Sequence, residues 1–165
     1  MSYNKKYSVG SIVLAEPYFD YVHALPLVTF SDVKNTVELA LVYNSQIAAN
    51  NDFNIDFNIA DGYKLNLQKK IVETSAGLSL LDSNGLMIAC NPATNQTASN
   101  ATVYALNDDS HRILRRITSG FELEYPDYSK ECFDSDGKQT SSFDKYGEEI
   151  FRFVYDGNLL SSIIY

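Results

Sequence analysis

The feature that most constrains this chain is a ladder of short alternating segments in its last third, each closed by a turn. Phe121, Leu123 and Tyr125 alternate with Glu122 and Glu124, and Phe151, Phe153 and Tyr155 alternate with Arg152 and Val154. Period two marks a strand with one buried face. Segments 129–133 and 139–143 read as the strands between them. The turns are Pro126-Asp127, Asp134-Ser-Asp-Gly137, Asp144-Lys-Tyr-Gly147 and Asp156-Gly157, and the last leads into Leu159-Leu-Ser-Ser-Ile-Ile164. Glycines 137, 147 and 157 stand ten residues apart. One strand plus one tight turn takes about 8–12 residues, so this is the spacing of an antiparallel meander. Asp accepts hydrogen bonds from nearby backbone N–H groups, and Gly supplies positive φ.

Upstream the same grammar recurs. Val37, Leu39, Leu41 and Tyr43 alternate with Glu38, Ala40 and Val42, which predicts a strand burying the first set. Phe53, Ile55, Phe57 and Ile59 predict another. Asp61-Gly62 is a turn, and Tyr63, Leu65 and Leu67 predict a strand continuing through a bulge into Ile71-Val72. Leu78–Leu81, the turn Asp82-Ser-Asn-Gly85 and Leu86–Cys90 form a hairpin. Residues 103–106 read as a strand; the segment 111–117 is ambiguous, since Ile113, Leu114 and Ile117 fit a short helical face of about two turns, and it is read as a strand. Ile12–Leu14 and Leu25–Phe30 are short apolar strands, with Pro17 and Pro26 expected at strand ends or on a sheet edge. The expected fold is all-β: an antiparallel meander of short strands and hairpins, as an open curved sheet or sandwich-like. It is read as one domain over 1–165, with 1–34 a less defined N-terminal segment and 91–101 a surface loop.

Twelve Tyr and nine Phe with no Trp agree with strands. The net charge of −8 argues against nucleic-acid binding, which depends on neutralising phosphates. Lys5-Lys6, Lys69-Lys70 and Arg112/Arg115/Arg116 are the only tight basic groups, and they read as solvated faces. No apolar run approaches the roughly 20 residues of a membrane span, and no secretory leader is expected in this chain. The sequons at Asn95 and Asn100 lie in a polar loop and carry no inference.

The turn residues and their order resemble the RHS/YD-repeat family. Tyr155-Asp-Gly-Asn-Leu-Leu-Ser-Ser-Ile163 is similar to a YD unit, and Phe133-Asp-Ser-Asp-Gly137 and Phe143-Asp-Lys-Tyr-Gly147 are similar to the stretch before one. Tyr43-Asn-Ser45, Asp61-Gly-Tyr-Lys-Leu-Asn-Leu67 and Leu80-Leu-Asp-Ser-Asn-Gly85 resemble the family's opening segments, so the likeness runs in order over residues 35–164. Tyr63 stands where the family usually has Trp, and one YD unit is present. The resemblance implies a non-enzymatic part of a bacterial surface, secreted or toxin-associated shell. Its partners would be adjacent repeats or another protein, met through an exposed sheet edge.

No catalytic, cofactor-binding or metal set emerges. His23 and His111 are the only neutral-pH base candidates, and neither adjoins a nucleophile motif. Asp108-Asp109, Asp134/Asp136 and Glu148-Glu149 are turn or surface carboxylates. A facing pair of them would be needed for a third reading, a small carboxylate-dependent hydrolase. Asp134-x-Asp136-Gly and Asp82-x-Asn84-Gly lack the remaining calcium ligands of an EF-hand loop. Cys90 and Cys132, without a C-x-x-C motif, read as two thiols, with a disulfide the other option. Tyr43, Tyr63, Tyr125 and Tyr155 are in phase with apolar neighbours and read as packing residues. A carbohydrate-binding or adhesion β-sandwich that uses such tyrosines is the alternative function. The expected function is a non-catalytic structural and interaction module.

Overall fold

A computed structural model describes residues 6–9, 12–15, 20–31, 36–45, 62–75, 77–93 and 102–165. Its fifteen elements are all strands. They are β1 Lys6–Val9, β2 Ile12–Ala15, β3 Asp20–Ser31, β4 Thr36–Asn44, β5 Tyr63–Leu65, β6 Lys70–Thr74, β7 Gly77–Leu81 and β8 Met87–Pro92. Then come β9 Thr102–Leu106, β10 Ile113–Ile117, β11 Gly120–Glu124, β12 Lys130–Phe133, β13 Gln139–Phe143, β14 Glu149–Asp156 and β15 Leu159–Ile164. Every pairing is between strands consecutive in sequence and is antiparallel, in one sheet of β1 to β5 and one of β6 to β15. The expected all-β meander is therefore the fold, as open sheets rather than a closed barrel. The predicted strand at 53–59 and Pro17 lie outside the described residues.

The chain divides into two compact units. The first is Met1–Gln68 with Asp82–Leu86; the second is Lys69–Leu81 with Met87–Tyr165. In the first, Pro26 sits at a register shift between β3 and β4, on the part of β3 that β2 does not reach. There its missing N–H breaks no second ladder, as proline in a sheet requires.

Two expectations fail in this unit. In β4 the fully buried residues are Ala40, Val42 and Asn44, while Val37, Leu39, Leu41 and Tyr43 are half-buried. Tyr43 faces Tyr63 across the β4–β5 pair, with ring centroids 5.0 Å apart. The opposite face is buried because Lys64, the neighbour of Val42, is itself fully buried there. Polarity in the sequence pointed the other way. Secondly, the chain from Tyr63 does not run on into Val72. Asn66 ends β5: its Oδ1 accepts the Ala40 N–H at 2.9 Å and its Nδ2 donates to the Glu38 carbonyl at 2.8 Å. An asparagine side chain thus takes over ladder bonds that a further strand residue would make.

In the second unit one face carries the core. Ile71, Leu78, Leu80, Cys90, Leu106, Leu114, Phe121, Leu123 and Phe133 are buried together, with Ile88, Tyr104 and Tyr125 against them. Leu114 and Leu123 are cross-strand partners, both 0% exposed. Each contributes on the order of 2–3 kcal/mol of burial. The ambiguous segment 111–117 yields β10, whose Leu114 supplies this contact. Of the expected 91–101 loop, Asn91 and Pro92 instead complete β8 opposite Ala105 and Tyr104, and residues 94–101 lie outside the described residues.

The Asp/Gly turns share one hydrogen-bond plan. Asp82 Oδ1 accepts from the N–H groups of Asn84 (2.8 Å) and Leu86 (2.9 Å). Asp134 does so from Asp136 (3.0 Å) and Lys138 (2.8 Å), and Asp144 from Tyr146 (2.8 Å) and Glu148 (2.9 Å). In each, the fourth residue is a glycine with φ between 77° and 84°. A fourth turn, Tyr125–Ser129, closes with the same backbone bonds but puts Tyr128 at that position, at φ 70°. A bulky side chain there is strained. Tyr128→Asn is expected to raise stability by about 0.5–1 kcal/mol, since Asn tolerates the left-handed region. Urea denaturation followed by circular dichroism measures it.

Candidate interaction edge and buried polar clusters

The second unit's sheet has two unlike ends. Its first strand, β6, is covered at its start. The Ile71 N–H donates to the Gly137 carbonyl at 2.8 Å, and the Lys69 N–H donates to Gln139 Oε1 at 3.0 Å. Lys70 and Lys138 form an isolated antiparallel bridge. After β6 to β12 the sheet has thus come round, and the start of β13 lies beside the start of β6. The approach is so close that a Cβ on Gly137 would stand 2.0 Å from the Ile71 carbonyl oxygen. Gln139 is buried, and its own carbonyl accepts the Tyr155 hydroxyl at 2.9 Å.

A buried ionic trio braces this seam. Lys69 Nζ donates to Tyr125 Oη at 2.7 Å and to Glu131 Oε1 at 2.5 Å, and Tyr125 Oη donates to Glu131 Oε2 at 2.9 Å. The Lys69 and Glu131 side chains are each 13% exposed. Burial works to lower the Lys69 pKa, but Glu131 and Tyr125 outweigh it and raise it. Burial, then the Glu131 charge, raises that of Tyr125. At neutral pH both groups hold their protons, so the trio ties Lys69, just before β6, to Tyr125, just after β11, and to Glu131 in β12. Arg112 caps the other side, 5.7 Å from the Tyr125 ring centroid and paired with Asp108. Reading Lys69 and Arg112 as solvated was wrong, because their partners come from distant strands or from a turn that folds back.

In the first unit, Lys64 Nζ donates to the carbonyls of Leu65 (2.9 Å), Gln68 (2.6 Å) and Ser83 (2.9 Å). Asn44 Nδ2 donates to the Gly85 carbonyl at 2.9 Å. Two buried polar side chains thereby hold the Asp82–Leu86 turn by its backbone oxygens.

The other sequence candidates are dispersed. His23 lies in β3 opposite Tyr43, in the first unit; His111 is exposed in the β9–β10 turn of the second. Asp82, Asp134 and Asp144 bond their own turns, and Asp108 and Asp127 accept from Ser110 and Ser129. Glu149 pairs with Arg152. Among the described residues no group of three His, Cys, Asp or Glu could hold a metal. No helix among them is long and apolar enough to cross a membrane. Both cysteines are free thiols, Cys90 in the core and Cys132 half-buried.

Burial pushes the Cys90 thiol from 9.0 up to about 11, and the Tyr155 hydroxyl from 10.0 up to about 12. A group whose folded pKa is raised adds stability below its unfolded pKa and loses it as pH climbs to the folded one. The melting temperature should therefore hold up to about pH 9 and fall steadily towards pH 12. Cys90→Ala should flatten the first part of that fall, between pH 9.0 and about 11. A pH series of melting curves tests both.

At the far end, β15 pairs on one side with β14 and on the other with no described strand. Leu159 is 53% exposed and Ile164 is 54% exposed, and Val154 and Tyr165 are exposed beside them. Leu159–Ile164 carries no charge and no proline. Natural sheets blunt a free edge with lysine, proline, inward charges or a bulge. Of these β15 has the bulge alone, at Ser161, where the register to β14 shifts.

No family profile, no curated protein and no solved structure matches this chain.

Proposed function

We propose that this chain is a non-catalytic structural module that extends an antiparallel sheet by taking a further strand on β15. The observation that carries this is the asymmetry of the ten-stranded sheet. Its β6 edge is engaged by Gly137 and Gln139, while its β15 edge carries no charge, exposes Leu159 and Ile164, and meets no described strand. Every neighbour in the sheet is an antiparallel strand of like kind, so the chemistry of the edge suits one more. The RHS/YD-repeat resemblance supports the reading in two ways. The three Asp-x-x-Gly turns behind it share one hydrogen-bond plan. The start of β13 also comes to lie beside the start of β6, so the sheet curves back on itself, as the strands of a curved shell would. The Lys69–Tyr125–Glu131 trio supports a non-catalytic role, since Lys69 and Tyr125 keep their protons at neutral pH and the Glu131 carboxylate is bonded to both.

A labelled hairpin peptide of residues 149–165 is expected to bind the full chain saturably in fluorescence anisotropy. Replacing both exposed edge residues, Leu159→Lys with Ile164→Lys, is expected to weaken it by about tenfold or more. Absence of saturable binding would count against the proposal.

A further inference from the structure

The edge strand has an internal symmetry. Leu159-Leu-Ser-Ser-Ile-Ile164 reads apolar, apolar, polar, polar, apolar, apolar from either end. In a regular strand, Leu160 and Ile163 would project to opposite faces, being three residues apart. The bulge at Ser161 removes that conflict. Leu160 and Ile163 are both half-buried, while Leu159, Ser161, Ser162 and Ile164 are all exposed. The palindrome of residue type is therefore also a palindrome of faces.

We propose that a second copy of this chain occupies the β15 edge, antiparallel, about a two-fold axis between Ser161 and Ser162. The inference rests on the reading of β15 as a strand-accepting edge and names its occupant. In this register Leu159 lies opposite Ile164 of the other copy, Leu160 opposite Ile163, and Ser161 opposite Ser162. Directly opposed residues share a face, so outer Leu meets outer Ile and inner Leu meets inner Ile. Apolar pairs of this kind and hydroxyl pairs are the favourable cross-strand combinations. Each copy offers the same patch, as a two-fold interface demands. The chain's net charge of −8 would oppose association, but the paired segment carries none of it. A shift of one residue in register would set Ser161 or Ser162 against an apolar partner and lose the match of faces.

Sedimentation equilibrium of the full chain tests this, with L159K and I164E as variants at exposed positions. The wild-type chain should show a monomer–dimer equilibrium. L159K alone and I164E alone should each weaken the dimer by roughly tenfold or more, because each sets two charges against apolar partners. An equimolar mixture of the two should recover it, since the new ammonium then faces the new carboxylate. A wild-type chain that stays monomeric yet binds the 149–165 hairpin peptide would overturn the second-copy inference and leave the edge reading standing. A chain that neither dimerises nor binds the peptide would overturn both. A dimer that the mixture does not restore would overturn the register, and with it the proposal.

Discussion

Gly137→Ala is expected to destabilise the chain by about 3–5 kcal/mol, whereas Gly147→Ala should cost only about 1–2 kcal/mol. The two glycines sit at the same position of the same turn, at φ 78° and φ 84°. A left-handed backbone penalises alanine equally at both. What differs is the surroundings. Around Gly147 a Cβ would meet nothing within 4 Å, while at Gly137 it would overlap the Ile71 carbonyl oxygen, carbon and Cα. Relief would require β6 to move off the turn, breaking the Ile71-to-Gly137 hydrogen bond and straining the one from Lys69 to Gln139. Urea titrations of both variants, followed by circular dichroism because the chain has no Trp, measure the difference. Equal costs would mean that β6 and β13 are not in contact.

Glu131→Leu is expected to cost about 3 kcal/mol, and the double variant with Lys69→Met much less than the sum of the two single changes. Removing Glu131 leaves the Lys69 ammonium largely buried with a phenol as its remaining side-chain partner. Removing both charges leaves an apolar pair of similar size. The same trio makes a statement about pH. The raised Lys69 pKa gives stability that is complete below the ordinary 10.5 and is lost as pH rises through the higher folded value. In the double variant this part of the alkaline fall should vanish, leaving that of Cys90, Cys132, Tyr125 and Tyr155, which burial still raises. A double-mutant cycle repeated at neutral and alkaline pH separates the contributions.

Local chemistry made the meander legible. A period of two, with Asp and Gly at fixed offsets, is stated by neighbouring residues, and β11 to β15 follow it closely. The long-range polar contacts were not legible. Lys64, Gln68, Lys69 and Gln139 look like surface residues because polarity is the only local cue they give. Their burial is decided by carbonyls and carboxylates that the fold brings up from elsewhere. The same ignorance misplaced the buried face of β4, where Val42 and Asn44 line the side that Lys64 occupies. Asn66 ended a strand that alternation alone would have continued, since a side-chain amide imitating the backbone leaves no trace in a hydrophobic pattern. The edge was half legible. Leu159–Ile164 reads as a strand, but the face symmetry depends on the bulge at Ser161, which only the register to β14 reveals.

The most direct test of the strand-adding role is residue-resolved amide hydrogen exchange across β6 and β15, with and without the 149–165 hairpin peptide. In dilute protein the Ile71 and Lys69 amides should be strongly protected, as bonded members of the seam. The β15 amides that point away from β14 should exchange rapidly, then slow as peptide is added, while the rest of the sheet stays unchanged. Rapid exchange at Ile71, or β15 amides that remain fast at saturating peptide, would contradict the account.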